Sequence, residues 1–392
     1  MARTAQTQRA YRGPGLWSRG FRPFFLAAGV WAGLAIAIWP AVFLGELSLP
    51  TAFAPVEWHV HEMLFGYGAA VVAGFLLTAI PNWTGRLPVA GRALMLLAGL
   101  WCAGRVAVLV SGLVGWGVAL AVDGAFLLAF ALLAGREVIA GRNWRNAKVV
   151  AVVLALAGAN MAFHLEAQAT GAAATATRAG IGLLVFLILL VGGRVVPSFT
   201  HNWLAKQGIA QRPVPFGRAD GVVMMLSALA LLGWIITPEN PLTGGLLLAA
   251  GLSNLWRLTR WQGLRTMSDP LVLVLHAGFA LAALGFLATG GHALAPHHLP
   301  SAFGLHVWAI GAIGGMTLAI MTRATLGHTG QALRASPLTV ALYICVLVSL
   351  LLRAGAIFSS SYFVMLLGLS AVFWVIAFLL FLASYGPLLC RR

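Results

Sequence analysis

The chain has 392 residues, of which 60% are hydrophobic and only 9% charged, with a formal net charge of +16. Soluble proteins carry roughly 25% charged residues, so nine acids in the whole chain cannot build a water-facing surface. The basic residues are scattered between apolar runs and form no single basic domain, which speaks against a nucleic-acid partner and assigns them to topology and lipid headgroups.

The apolar runs are near the ~20 residues that cross a bilayer. In chain order they predict spans at roughly 22–44, 60–81, 92–111, 113–134, 147–166, 179–197, 219–236, 242–258, 270–289, 301–322, 337–353 and 360–386. The expected fold class is therefore all-α: a polytopic membrane protein of about twelve transmembrane helices, with residues 1–392 forming one transmembrane domain. The first run follows basic residues but is too long for a secretory signal and shows no small-residue cleavage pattern, so it reads as a retained span. Spans three and four have almost no loop between them and predict a tight hairpin around Ser111 and Gly112. The 46 glycines suit close helix packing, because lipid supplies no hydrophobic drive between helices.

Loop charge tests the count. With segments numbered alternately from the N-terminus, 22 of the 25 Lys and Arg residues fall on one side, leaving Arg105, Arg178 and Arg353 on the other. The positive-inside rule then predicts an inner-membrane protein with both termini cytoplasmic. Spans two, six and ten, four apart, share a texture. His61 precedes Gly66 by five residues and His306 precedes Gly311 by five; span two ends near Pro81-Asn82-Trp83 and span six near Pro197, with Asn202-Trp203 following. This points to three four-helix repeats.

Ionisable groups within spans are costly and mark function by default. Here they are mainly histidines, in two layers. The outer layer holds Glu57, His59, His61 and Glu62 on span two, His164 and Glu166 on span five, and His306 on span ten. Imidazole is a common metal ligand and a common axial ligand of haem iron. His59 and His61 are separated by about 200° around a helix and cannot both face one small site. His59 and Met63, four residues apart, share a face that suits copper. The candidate metal ligands are thus His59, His61, Met63, His164 and His306, set against the alternative that interfacial histidines simply bond to water or headgroups. The inner layer holds His201, His276 and His328, with Arg323 among arginines that either hold haem propionates or mark the membrane boundary. The loop histidines His292, His297 and His298 are expected to be solvated. Cys102, Cys345 and Cys390 form no C-x-x-C-H motif, so any haem is expected to be non-covalent haem b. No P-loop, dinucleotide fingerprint or triad spacing occurs.

Several segments resemble the NnrS family: Gly20 to Leu26 (GFRPFFL), Trp58 to Gly66 (WHVHEMLFG), Ala79 to Arg86 (AIPNWTGR), Gly192 to Trp203 (GGRVVPSFTHNW), and His306 to His328 with the TRATLGHTG that follows from Thr322. The resemblance covers essentially the whole chain. It implies a twelve-helix bacterial membrane protein containing haem and copper, associated with denitrification and nitric oxide resistance, and it transfers no ligand assignment. A weaker similarity is to haem-copper oxidase subunit I. There span ten carries an H-x-H pair and span seven carries histidines, whereas here span ten has only His306 in that stretch and span seven has none, which argues against a standard binuclear centre.

The expected function is therefore a haem-binding and copper-binding inner-membrane protein of nitric oxide tolerance that binds or turns over nitric oxide, or relays electrons from a donor. Two alternatives are a multi-pass transporter using the broken ends at Pro81 and Pro197, and a nitric-oxide-responsive metal buffer without turnover.

Overall fold

The computed structural model describes Tyr11 and residues 13–391. Arg3, Arg9, Arg12 and Arg392, which enter the charge alternation, lie outside the described residues. Among the described residues twelve long helices follow one another: α1 (Phe21–Phe43), α2 (Pro55–Thr84), α3 (Arg92–Leu109), α4 (Trp116–Ala140), α5 (Trp144–Thr170), α6 (Ala174–Lys206), α7 (Arg218–Ile236), α8 (Pro241–Thr259), α9 (Pro270–Leu294), α10 (Ser301–His328), α11 (Pro337–Phe358) and α12 (Phe363–Cys390). All but α8 are long and apolar enough to cross a membrane by length and composition. The 19-residue α8 falls short because Ser253, Asn254 and Arg257 interrupt its leucines. The architecture is all-α and polytopic, as the composition requires.

Local sequence explains the helix starts. Proline opens α2, α8, α9 and α11, where a missing N–H costs nothing. Asn240, Asp269 and Ser336 cap the last three by accepting the N–H of Leu242, Leu271 and Thr339. Glu166, at the end of α5, accepts the N–H groups of Thr175 and Ala176 and so caps α6. Between α3 and α4 a single helical turn (Ser111–Val114) ends at Gly115, whose φ of 87° demands glycine. The helix proper therefore begins at Trp116, three residues beyond the expected start.

The helices of like texture share a further property. Each contains a π-helical segment: Glu62–Gly68 in α2, Ile188–Gly192 in α6 and Val307–Gly314 in α10. Such widened turns release backbone carbonyls and concentrate at functional sites. In α2 the carbonyl of Gly66 is taken by Trp101 Nε1 at 2.9 Å.

The chain divides into two compact units, Met1–Gly180 with Phe378–Arg392, and Ile181–Ala377. In the first, α1 packs on α2, α2 on α4, and α3, α4 and α5 follow as antiparallel neighbours. The end of α12 closes this unit: Arg22 Nη1 donates to the carbonyls of Leu388 and Leu389, each at 3.0 Å, and to that of Arg391. In the second unit α8 and α9 approach closely over small residues; a Cβ at Gly251 would lie 2.5 Å from Leu287 and one at Gly290 2.9 Å from the Gly244 carbonyl.

A candidate metal centre in the first unit

The α2 segment beginning at Pro55 turns His61 and Glu62 inward, and both are buried. Arg105 sits one turn before the end of α3, Asp123 two turns into α4, and Asn160 and His164 on one face of the last turns of α5. All are buried. These positions lie at one end of their helices, so four helices deliver six polar side chains to one depth.

Their hydrogen bonds form a closed set. Arg105 Nη1 bridges both Glu62 oxygens at 2.8 Å, and its Nη2 donates to Asp123 Oδ1. Asn160 Nδ2 donates to Asp123 Oδ2 at 2.8 Å, which turns Asn160 Oδ1 toward His61 Nε2 at 2.9 Å. His61 Nε2 also lies 3.2 Å from Asp123 Oδ2, and His61 Nδ1 lies 3.1 Å from Glu62 Oε1. His164 Nε2 reaches Asp123 Oδ2 at 3.1 Å, while its Nδ1 is buried without a partner.

Both ring nitrogens of His61 thus face acceptors, and three donor groups converge on the one oxygen Asp123 Oδ2, which has two lone pairs. Glu62 and Asp123 bring two negative charges against the one positive charge of Arg105. A site so arranged is satisfied by a proton on His61 or by a cation between the imidazoles and the carboxylate. His61, Asp123 and His164 offer ligand atoms all within 4.8 Å of one another, and the donor set is two imidazoles and a carboxylate. The residues therefore fit a metal ion. They do not fit a porphyrin between the two imidazoles: both Nε2 atoms point at the same carboxylate oxygen, and the space between the rings is taken by Asp123 and Asn160.

Aromatic rings enclose the cluster. Phe53 stacks on His61 at 5.2 Å, and Phe163 and Phe65 pack against the same ring. Phe53 belongs to the α1–α2 loop, which is pinned over the α3–α4 turn: Ala52 N donates to Ser111 Oγ at 2.8 Å and Thr51 Oγ1 to the Val108 carbonyl at 2.9 Å.

The other expected residues fall elsewhere. His59 lies flat on Trp39, centroids 4.2 Å apart, while His61 faces α4 and α5, as two rings some 200° apart on a helix must. Met63 is half-buried in the π segment. His306 lies in the second unit, its Nδ1 on the Ala302 carbonyl at 2.7 Å and its Nε2 accepting from Arg353 Nε at 3.2 Å. His276 Nε2 meets Thr200 Oγ1 at 2.8 Å, and Gly263 stands so close to its Nδ1 that a Cβ would lie 2.6 Å away. His201 is exposed and His328 ends α10. Arg323 is buried with its guanidinium 4.2 Å from the centre of the Phe199 ring. Sequence reasoning missed Asp123, Arg105 and Asn160 as site residues. The signal was present for two of them, as charges inside apolar runs.

The family model described as NnrS protein matches residues 15–392, nearly the whole chain. The chain belongs to the NnrS family. Membership agrees with the multi-pass architecture and supports a membrane protein of the nitric oxide response. No curated protein matches this NnrS-family chain.

Proposed function

We propose that this NnrS-family protein serves nitric oxide tolerance by holding a first-row transition metal, copper or iron, at His61, Asp123 and His164, where nitric oxide binds. The observation that carries the reading is the convergence of two buried imidazoles on one buried carboxylate, from three different helices. An ion held by two imidazoles and one carboxylate keeps coordination positions open for a small ligand. The chain's own residues do the rest. Arg105 and Asn160 fix the Asp123 carboxylate, Glu62 orients His61 through Nδ1, and the rings of Phe53, Phe65 and Phe163 exclude water. Nitric oxide is small and uncharged, so it reaches such a site through the lipid phase. We assign haem b no seat between these two imidazoles.

The test is metal analysis and electron paramagnetic resonance on the purified full chain, with and without nitric oxide. His61→Ala, His164→Ala and Asp123→Asn should each lose the bound metal and the nitric-oxide-dependent signal, and His306→Ala should keep both. Full metal retention in the first three variants would overturn the assignment.

A further inference from the structure

The cluster in the first unit has a counterpart in the second that lacks its acids. There the pair is His306, near the start of α10, and Arg353, near the end of α11. The Ala302 carbonyl can only accept, so His306 Nδ1 carries the proton; Nε2 is then a lone pair and accepts from Arg353 Nε. His306 is therefore neutral, and the positive charge of the pair rests on the guanidinium. That guanidinium lies 5.9 Å from the centre of the Phe363 ring, and its Nη1 is buried without a hydrogen-bond partner.

Of the buried arginines, Arg22 bonds to main-chain carbonyls, Arg323 lies against the Phe199 ring, and two have carboxylate partners. Arg105 has Glu62 and Asp123, and Arg257 has Asp220 at 3.0 Å. Among the described residues no carboxylate pairs with Arg353. None is available from its own helices, because no Asp or Glu occurs after Asp269 in the sequence. A half-buried cation without a counter-charge is disfavoured, and its buried Nη1 donor without an acceptor adds to that cost.

We propose that Arg353, oriented by His306, is a binding site for an oxyanion. With Nε committed to His306, the free edge of the guanidinium presents Nη1 and Nη2, the fork that matches two oxygens of one anion. Nitrite, nitrate and the phosphate of a phospholipid headgroup share this chemistry. The site is separate from the metal cluster and stands or falls independently of it.

Two probes separate the sources: sodium nitrite, and phosphatidylglycerol, each titrated into phospholipid-free full-length protein in a neutral detergent. The readouts are isothermal calorimetry and the thermal midpoint. We expect at least one probe to bind saturably and raise the midpoint. Arg353→Gln should abolish the response, and Arg353→Lys, which keeps the charge but loses the fork and the His306 contact, should weaken it roughly tenfold. A nitrite response identifies a soluble oxyanion, and a response to phosphatidylglycerol alone identifies the headgroup. Metal content should be unchanged in both variants. If Arg353→Gln does not fold, Arg353→Lys carries the comparison. No response from wild type to either probe, or wild-type responses from the variants, would overturn the proposal.

Discussion

Arg105 holds the acids of the first unit together. Its guanidinium is buried and spans Glu62 and Asp123, so removing it leaves two buried carboxylates with at most a histidine to offset them. Breaking a buried ion pair from one side costs about 3–5 kcal/mol. Arg105→Leu should therefore lower the chemical-denaturation stability of the protein in detergent by about that much. Adding Glu62→Gln should restore part of the loss; a double variant no better than the single one would show that charge imbalance is not the cause. At this scale the sequence was half legible. The histidines His61 and His164 stood out because imidazole is rare in apolar runs. Asp123 did not, although a lone acid inside an apolar run obeys the same rule. Arg105 and Arg353 were visible as two of the three residues that break the charge alternation. They break it because they are not loop residues at all: each is inside a helix with a histidine site beside it.

Among the helices, the widened turn of α2 depends on one glycine. A Cβ at Gly66 would lie 2.8 Å from both Arg105 Nη1 and Trp31 Nε1 and 3.0 Å from Glu62 Oε2. Of the side chains that would have to move, Arg105 and Glu62 are buried and bonded to each other, and Trp31 is half-buried. Overpacking of this kind costs typically about 1–3 kcal/mol. Gly66→Ala should destabilise by that order and also reduce metal occupancy, whereas Gly99→Ala, with nothing within 4 Å of its Cβ, should do neither. Equal behaviour of the two variants would remove the special role of the α2 turn. The shared glycine spacing after His61 and His306 was legible, and the π geometry was not, because nothing in a helical period distinguishes a turn of wider pitch. Helix α8 shows the converse. Its leucines announced a span, but Arg257 read as a loop charge and is in fact buried against Asp220. Glu166, counted with the outer-layer candidates, caps α6 instead.

For the molecule as a whole, eleven of the twelve expected spans correspond to described helices long and apolar enough to cross a membrane, where a bilayer leaves the backbone few other ways to satisfy its own hydrogen bonds, and the remaining one, 242–258, corresponds to the less apolar α8. Charge placement predicts their orientation. A reporter active only in the periplasm, fused after Arg392, should give no signal, and one fused in the α5–α6 connection near Gly171 should give a strong one; the reverse pattern would invert the topology. Hydropathy could not show that the chain divides into two units, because apolar runs look alike whichever partner they bury against. Nor could it show that Arg22, in the first apolar run, would bond to carbonyls at Leu388, Leu389 and Arg391.

That last contact bears on how the protein is made. The six cluster residues lie between positions 61 and 164 and leave the ribosome together, whereas Phe378–Arg392, which closes the same unit, is synthesised long afterwards. Throughout translation of residues 181–377 the nascent first unit waits in the bilayer with the seat for α12 unfilled. Arg22 waits with it, its carbonyl partners not yet synthesised. The proposed metal ligands His61, Asp123 and His164 are thus in place during a window in which their unit is still open on one flank.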